Sequence, residues 1–282
     1  MLSAFIRGCK MPCGNGATAV NPTFPENFDD LLVGENAIRG MSKASICAFE
    51  DLSRHAIMIE QSMTMLNYLV KRHVHTNQDE LAIQFLGIRL FNSGSSAMKL
   101  LMSGYYQSTV MVMRDILETT FLLDYFHSNR SQIAVWRKCD ERKRNNMFGA
   151  WKVRTALDER DGFTEGKREA AYRLLCELGS HPTYKGFQLL TAGGSDLGIV
   201  GPFFELKSLD AVLSELAKIM MQAGAQFRFF EEKTLLDYQM MLSYLKAQAD
   251  WADHFWGTKT DRTQIDEIQA MVTEIATRSA AV

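Results

Sequence analysis

The chain has 282 residues, of which 46% are hydrophobic and 23% are charged, and its formal net charge is −2. This length suits one large domain or two small ones, and this composition excludes disorder as the main state. The nearly balanced charge excludes a strong overall attraction to nucleic acid or to an anionic membrane.

The distribution of proline predicts a helical protein. Only five prolines occur, and Pro12, Pro22 and Pro25 lie close together near the start of the chain, whereas methionine occurs 16 times. Unbranched apolar side chains with almost no proline favour helix over strand. We therefore expect an all-α fold, an antiparallel helical bundle. Residues 1–40 are predicted to form an N-terminal arm, mobile in part, and residues 41–282 a single helical domain.

The cysteines and the apolar stretches indicate the compartment. Five cysteines are scattered along the chain, an odd number that suits a reducing environment and is not typical of a disulfide framework. The apolar start of the chain is too short for a secretory signal, and no apolar stretch is long enough to cross a membrane. We expect a cytoplasmic protein with no membrane partner.

The first strong helical pattern lies between residues 41 and 75. Its apolar residues follow one another at steps of three and four, with Ser42 as the predicted N-cap. They are Phe49, Leu52, Ala56, Ile59, Met63, Leu66 and Val70. Such a seam packs against other helices of a bundle or against a second subunit.

Residues 79–103 and 105–127 are predicted to form a helical hairpin at the centre of the fold. The first segment is apolar nearly all round, which is typical of a central helix, and Gly104 then interrupts the pattern. Arg114 and Glu118 are four residues apart, so they project from the same face of the second helix.

The second half of the chain contains the one sizeable window without a helical period. A helix over residues 167–178 is predicted to end at Gly179, a good C′ residue. Residues 180–202 are predicted to form an irregular loop or a short hairpin. A long helical pattern, capped by Ser208, then continues to Phe255, and a last amphipathic helix follows it.

Several kinds of chemical site are missing from the sequence. Neither form of Gly-rich phosphate loop occurs, and the nearest match to a nucleophile elbow fails at Leu197. Asp124 and His127 give one loose match to the paired ligands of a di-metal bundle, and no second pair exists. We expect no metal and no small-molecule cofactor.

Arg114 and Glu118 are the most informative charged pair, because they lie in the most apolar predicted helix. Burying either charge costs several kcal/mol unless it is paired and hydrogen-bonded. The two residues form either an internal ion pair that fixes the helix register or a polar pocket. In the pocket, Arg114 would hold an anion and Glu118 would orient it.

His181 is a second candidate, because it follows a helix stop and opens the irregular window. It is either a pocket residue or a histidine whose ring hydrogen-bonds the turn backbone. Tyr105 and Tyr184 are candidates to line the same pocket, and packing roles explain them equally well.

Residues 137–144 concentrate positive charge, with five basic and two acidic side chains. Arg137, Lys138 and Arg142, together with Lys152 and Arg154, are candidates to bind the phosphates of RNA, while Trp136 or Trp151 stacks on bases. The alternative is an ordinary solvated helix face.

Two parts of the chain resemble a group of functionally uncharacterised bacterial helical proteins. The first is Gly104-Tyr105-Tyr106, followed by Arg114 and Glu118; the second comprises residues 177–182 and 201–204. That group is distantly similar to the HEPN (higher eukaryote and prokaryote nucleotide-binding) domains. The resemblance covers residues 45–245, and it implies a helical fold, RNA as a partner and a homodimer.

The HEPN nuclease signature, R-x(4–6)-H on one helix, is not intact in this chain. The arginine that precedes His181 is Arg173, eight positions back, with the predicted helix end between them. If the resemblance implies RNA cleavage, His181 transfers the proton and Arg114 or Arg173 holds the phosphate.

The sequence therefore leaves two functional hypotheses open, and with them the question of whether the chain is an enzyme. The first is an RNA-directed nuclease or toxin of a defence or mobile-element system. The second is a non-enzymatic helical interaction or regulatory protein, in which Arg114 and Glu118 form a structural ion pair.

Overall fold

The computed structural model describes residues 26–195, 197–226 and 234–280, and nearly all the regular structure in these ranges is helical. The α-helices are α1 (Glu26–Ala48), α2 (Glu50–Arg72), α3 (Gln78–Met102), α4 (Tyr106–Ser128), α5 (Ser131–Lys138), α6 (Glu141–Phe148), α7 (Ala150–Asp161), α8 (Lys167–Leu175), α9 (Leu206–Gly224), α10 (Leu235–Trp256) and α11 (Thr263–Ala280). A π-helical turn (Cys176–Ser180) and a 3₁₀ segment (Lys185–Leu190) lie between α8 and α9. The prediction of an all-α bundle is confirmed.

Helix α4 lies at the centre of the bundle. It packs against α3, α7, α8, α9 and the π-helical turn. Its most deeply buried side chains include Tyr106, Met113, Leu117, Leu123 and Phe126. Helix α2 closes the core by packing on α3, α9 and α10, while α11 packs on α10. The predicted hairpin is the pair α3 and α4.

Polar side chains fix the points at which several helices begin. The side-chain oxygen of Asn77 accepts from the backbone N–H groups of Asp79 and Glu80, at 3.0 Å each. Thr234 and Asp237 form a capping box at the start of α10. Each cap satisfies N–H groups that have no partner inside the helix.

The N-terminal region differs from the prediction. Helix α1 runs from Glu26 to Ala48, so the predicted boundary at residue 40 falls inside a helix. The part of the predicted arm before residue 26 lies outside the described residues. Ser42 is not an N-cap: it is buried within α1, and its hydroxyl donates to the carbonyl of Met102 at 3.0 Å. That carbonyl belongs to the last turn of α3, where no intrahelical partner remains for it.

A break at Phe49 separates α1 from α2. Phe49 has an extended backbone and an exposed side chain, although it is the first residue of the predicted seam. Leu52, Ile59 and Leu66 of the seam are buried as predicted. The buried face of α2 also includes His55, Met58, Ser62, Met65 and Leu69.

The predicted stop at Gly179 is wrong, because Gly179 lies within the π-helical turn. Helix α8 ends at Leu175, and the chain continues directly into that turn. A Cβ atom on Gly179 would lie 2.8 Å from the backbone nitrogen of Met111 on α4. The glycine is therefore required for close packing and not for a left-handed cap.

Residues 180–202 form the predicted irregular loop. A 3₁₀ segment and a single antiparallel bridge between Thr191 and Gly198 are the regular structure described there. Glu205, rather than Ser208, caps α9, because its carboxylate accepts from the backbone N–H of Ser208. The long pattern that follows divides into α9 and α10, and residues 227–233 between them lie outside the described residues.

Candidate functional site

The two halves of the resembling motif meet at the turn between α3 and α4. Gly104 has φ +82° there, and the backbone N–H of Phe203 donates to its carbonyl at 3.5 Å. The ring of Phe203 packs edge-on against Tyr106, with a centroid distance of 5.3 Å. The Tyr106 hydroxyl donates to the carbonyl of Glu205 at 3.2 Å and accepts from its N–H at 3.0 Å. These motif residues therefore hold the end of the loop on the bundle.

Tyr105 connects the same turn to α1. Its hydroxyl donates to a carboxylate oxygen of Glu35 at 3.0 Å. Beside it, the guanidinium of Arg39 donates to the Ser103 hydroxyl at 2.8 Å. Burial, together with the neighbouring Glu35, raises the pKa of Tyr105. The polar group of Tyr105 is thus engaged in docking α1.

His181 and Tyr184 lie on the exposed side of the loop. The backbone N–H of His181 donates to the Cys176 carbonyl at 2.9 Å. Within the described ranges, no hydrogen bond, ion pair or ring contact joins the side chain of His181 to Arg114 or Glu118. Tyr184 is 88% exposed, and its ring centroid lies 5.7 Å from that of Phe187. The structure does not join this loop histidine to the charged pair on α4.

Arg114 and Glu118 form the ion pair that their spacing predicts. Both Nε and Nη2 of Arg114 approach the same Glu118 oxygen, at 3.0 and 2.9 Å. About a third of each side chain is exposed, so the pair lies at the edge of the core and not inside it. This geometry supports the ion-pair interpretation. Arg173 on α8 is exposed and pairs with Glu169 of its own helix.

Tyr172 of α8 completes a polar cluster around the pair. The Arg114 guanidinium lies 5.3 Å from the centroid of its ring. Burial, with a further contribution from the Glu118 carboxylate, raises the pKa of Tyr172 to about 12. The phenol therefore stays protonated at neutral pH, and it is a hydrogen-bond donor and not a base.

Arg154 of α7 also belongs to this cluster, although the sequence grouped it with the candidates for phosphate binding. Arg154 is only 7% exposed, and its guanidinium lies over the Tyr172 ring, 4.0 Å from the ring centroid. Its Nε and Nη1 atoms have no hydrogen-bond partner among the described residues. A buried cation is normally paired, so Arg154 is an exception. The sequence signal was its position between Val153 and Leu157 on the buried face of α7.

We expect Arg154→Met to raise the free energy of unfolding by about 1–3 kcal/mol, since it removes desolvated donors that lack acceptors. Methionine keeps an unbranched apolar stem against Tyr172. Urea denaturation measures the change, and Arg173→Met, on an exposed residue, is the control with an expected change within about 0.5 kcal/mol. A loss of stability in Arg154→Met would show that ring stacking outweighs the unmet hydrogen bonds.

The segment of residues 137–144, called the basic segment below, lies across α5 and α6. Arg137 is paired with Asp79 at 2.9 Å. Lys138, Arg142 and Lys143 are exposed, and no carboxylate of the described chain lies within 4.0 Å of them. These three cations are therefore in no ion pair with the described chain, and the segment keeps a net positive charge although Asp140 and Glu141 lie within it.

The described ranges contain neither a membrane-spanning helix nor a cluster of metal-ligating side chains. No helix there is long and apolar enough to span a membrane. No group of three or more His, Cys, Asp or Glu side chains is placed there to hold a metal ion. Cys47, Cys139 and Cys176 are free thiols.

The fold and the site together define an all-α helical bundle with a polar cluster on its central helix and a basic segment beside it. Comparison of the chain with protein-family models, with curated proteins and with solved structures finds no match. The HEPN resemblance thus stays a prediction from the motif residues.

Proposed function

We propose that this chain is a non-enzymatic helical protein that binds the phosphate backbone of RNA through its basic segment. The observation that supports binding is the lack of carboxylate partners around Lys138, Arg142 and Lys143. Exposed, uncompensated cations on neighbouring helices suit a chain of phosphates better than they suit a neutral ligand.

An exposed aromatic side chain lies close along the sequence to these cations. Trp151 is 57% exposed at the start of α7, and the ammonium of Lys152 lies 4.1 Å from its ring centroid. Unpaired bases stack on such rings regardless of their sequence, and the adjacent cation adds attraction for phosphate. The combination favours single-stranded RNA, with little sequence preference.

The positions of His181, Arg114 and Arg173 support RNA binding rather than RNA cleavage. Cleavage through His181 requires the imidazole to reach the phosphate that an arginine holds. Arg114 is instead occupied by Glu118, and Arg173 by Glu169. The Arg114–Glu118 pair then acts as a structural element, which is the second hypothesis drawn from the sequence.

Fluorescence anisotropy with a short, unstructured single-stranded RNA tests the proposal across a salt series. The triple variant Lys138→Gln, Arg142→Gln, Lys143→Gln is expected to bind more weakly. The slope of log affinity against log salt concentration should also become less steep by about 2, because each phosphate contact to a single strand contributes about 0.7 to that slope. The control replaces three exposed lysines elsewhere, Lys99, Lys207 and Lys259, by glutamine.

The control has the same change in net charge, so it distinguishes RNA binding at the basic segment from a general electrostatic attraction between the protein and RNA. Equal losses in the two triple variants, or no RNA binding by the wild type, would reject the proposal. Incubation of the same RNA with wild type, His181→Ala and Arg114→Ala tests cleavage, and no product is expected from any of them. Cleavage that disappears in the two variants would establish the nuclease hypothesis instead.

A further inference from the structure

A cleft lies between the α3–α4 hairpin and the three short helices α5, α6 and α7. Its volume is about 670 Å³, which is within the range of roughly 300–1,000 Å³ for small-molecule sites. Its walls are mostly apolar, with Leu86, Phe121, Trp136 and Phe148 among the lining residues. Phe85 also lines it and is 60% exposed, so apolar surface faces solvent at this place.

The charged side chains around the cleft are paired, with one exception. The ion pairs are Arg89 with Asp115, Arg137 with Asp79, and Arg114 with Glu118. The exception is Arg144 of α6, which is exposed and has no carboxylate within 4.0 Å in the described part of the chain. The cleft therefore combines an apolar wall with one uncompensated guanidinium.

We propose that this cleft binds a small amphipathic organic anion, with its apolar body against Phe85 and Trp136 and its acidic group on Arg144. Charge complementarity determines the sign of the ligand, because the acidic lining residues Asp115 and Glu118 are already neutralised by arginines. A guanidinium binds a carboxylate or a phosphate through parallel hydrogen bonds, which a neutral or cationic head group does not allow. Burial of the apolar body supplies the remaining affinity.

Isothermal titration calorimetry with three ligands of equal chain length, decanoate, decanol and decylamine, tests the proposal. Decanoate is expected to bind about tenfold more tightly than decylamine, because only the carboxylate pairs with Arg144. Arg144→Gln should weaken decanoate about tenfold and leave decanol unchanged. Phe85→Ser should weaken decanoate and decanol alike, by about tenfold, since it removes apolar contact from both.

Matched controls lie on the same two helices. Arg142 of α6 and Ile88 of α3 do not line the cleft, so Arg142→Gln and Ile88→Ser should bind decanoate as the wild type does. All four substituted residues are exposed, so we expect their replacement to leave the fold intact, which circular dichroism of each variant checks. Absence of decanoate binding, equal affinity for the three ligands, or wild-type affinity in both cleft variants would overturn the proposal.

The cleft shares Arg137 and Arg144 with the basic segment, but its binding of an organic anion does not depend on RNA binding, so the two proposals can fail separately. Arg142→Gln is one of the three substitutions in the triple variant used for RNA binding, and alone it is a control for the cleft. If the single variant Arg142→Gln loses RNA affinity and keeps its decanoate affinity, the two ligands bind different surfaces.

Discussion

Replacement of Gly104 by alanine is expected to lower the free energy of unfolding by about 3–5 kcal/mol. The backbone of Gly104 has φ +82°, a left-handed conformation that costs a residue with a Cβ atom about 1–2 kcal/mol. The new Cβ would also lie 2.2 Å from the carbonyl oxygen of Phe203 and 2.8 Å from its nitrogen. These are backbone atoms, so the loop must move away from the α3–α4 turn and lose the bonds between Tyr106 and Glu205.

Chemical denaturation of Gly104→Ala and Gly162→Ala separates the cost of the left-handed backbone from the cost of the steric contact. Gly162, at the end of α7, also has a positive φ of +68°, but apart from its chain neighbours no heavy atom of the described residues lies within 4 Å of the position of a Cβ there. We expect Gly162→Ala to lose only the conformational cost, about 1–2 kcal/mol. Equal losses in the two variants would contradict the close contact with Phe203.

Lowering the pH from 6.5 to 4 is expected to reduce the free energy of unfolding by about 3 kcal/mol through His55 alone. His55 is 2% exposed, and its Nδ1 accepts from the indole N–H of Trp251 at 2.9 Å. Burial, reinforced by Lys218 and His254 and opposed by Asp51, lowers its pKa to about 4. Since the unfolded chain takes up this proton near pH 6.5 and the folded chain does not, acid favours unfolding across that window.

Urea denaturation of the wild type and His55→Gln over this pH range measures the effect. Glutamine offers an amide oxygen to Trp251 and does not titrate, so the variant should lose this part of the pH dependence. His181→Gln, on an exposed histidine, is the control for the loss of an imidazole elsewhere in the chain. Parallel profiles for wild type and His55→Gln would show that His55 does not titrate as the structure indicates.

The spacing of apolar residues predicted the core helices, because α3, α4 and α9 bury contiguous faces. It missed the first part of α1, a helix in which Ser42 is the fully buried residue of the described range and Ile46 is partly buried against the core. That helix is held by polar contacts such as Glu35 with Tyr105, which join residues 70 positions apart. A periodicity argument contains no information on such contacts. The division of α1 from α2 at Phe49 likewise leaves the apolar spacing nearly unchanged.

The candidate site was predictable only where its residues share a helix. Arg114 and Glu118 are one turn apart, so their pairing follows from helix geometry. Tyr172 and Arg154 come from α8 and α7, and their approach depends on how these helices pack on α4. The motif residue Gly104 was visible as an interruption, but its contact with Phe203 joins parts of the chain separated by a hundred residues.

The single-residue break at Phe49 has a consequence for how the molecule opens. Helix α1 contributes one fully buried side chain, Ser42, and one partly buried against the core, Ile46, and its attachment near Ser103 consists of a few hydrogen bonds. Detaching it exposes little new apolar surface, so the free energy required is a small part of that for global unfolding. We therefore expect the amide hydrogens of α1 to exchange with solvent through local fluctuations, and those of α4 to exchange only when the whole bundle opens. On this expectation, α1 unfolds independently of the cooperative unit that the rest of the described bundle forms.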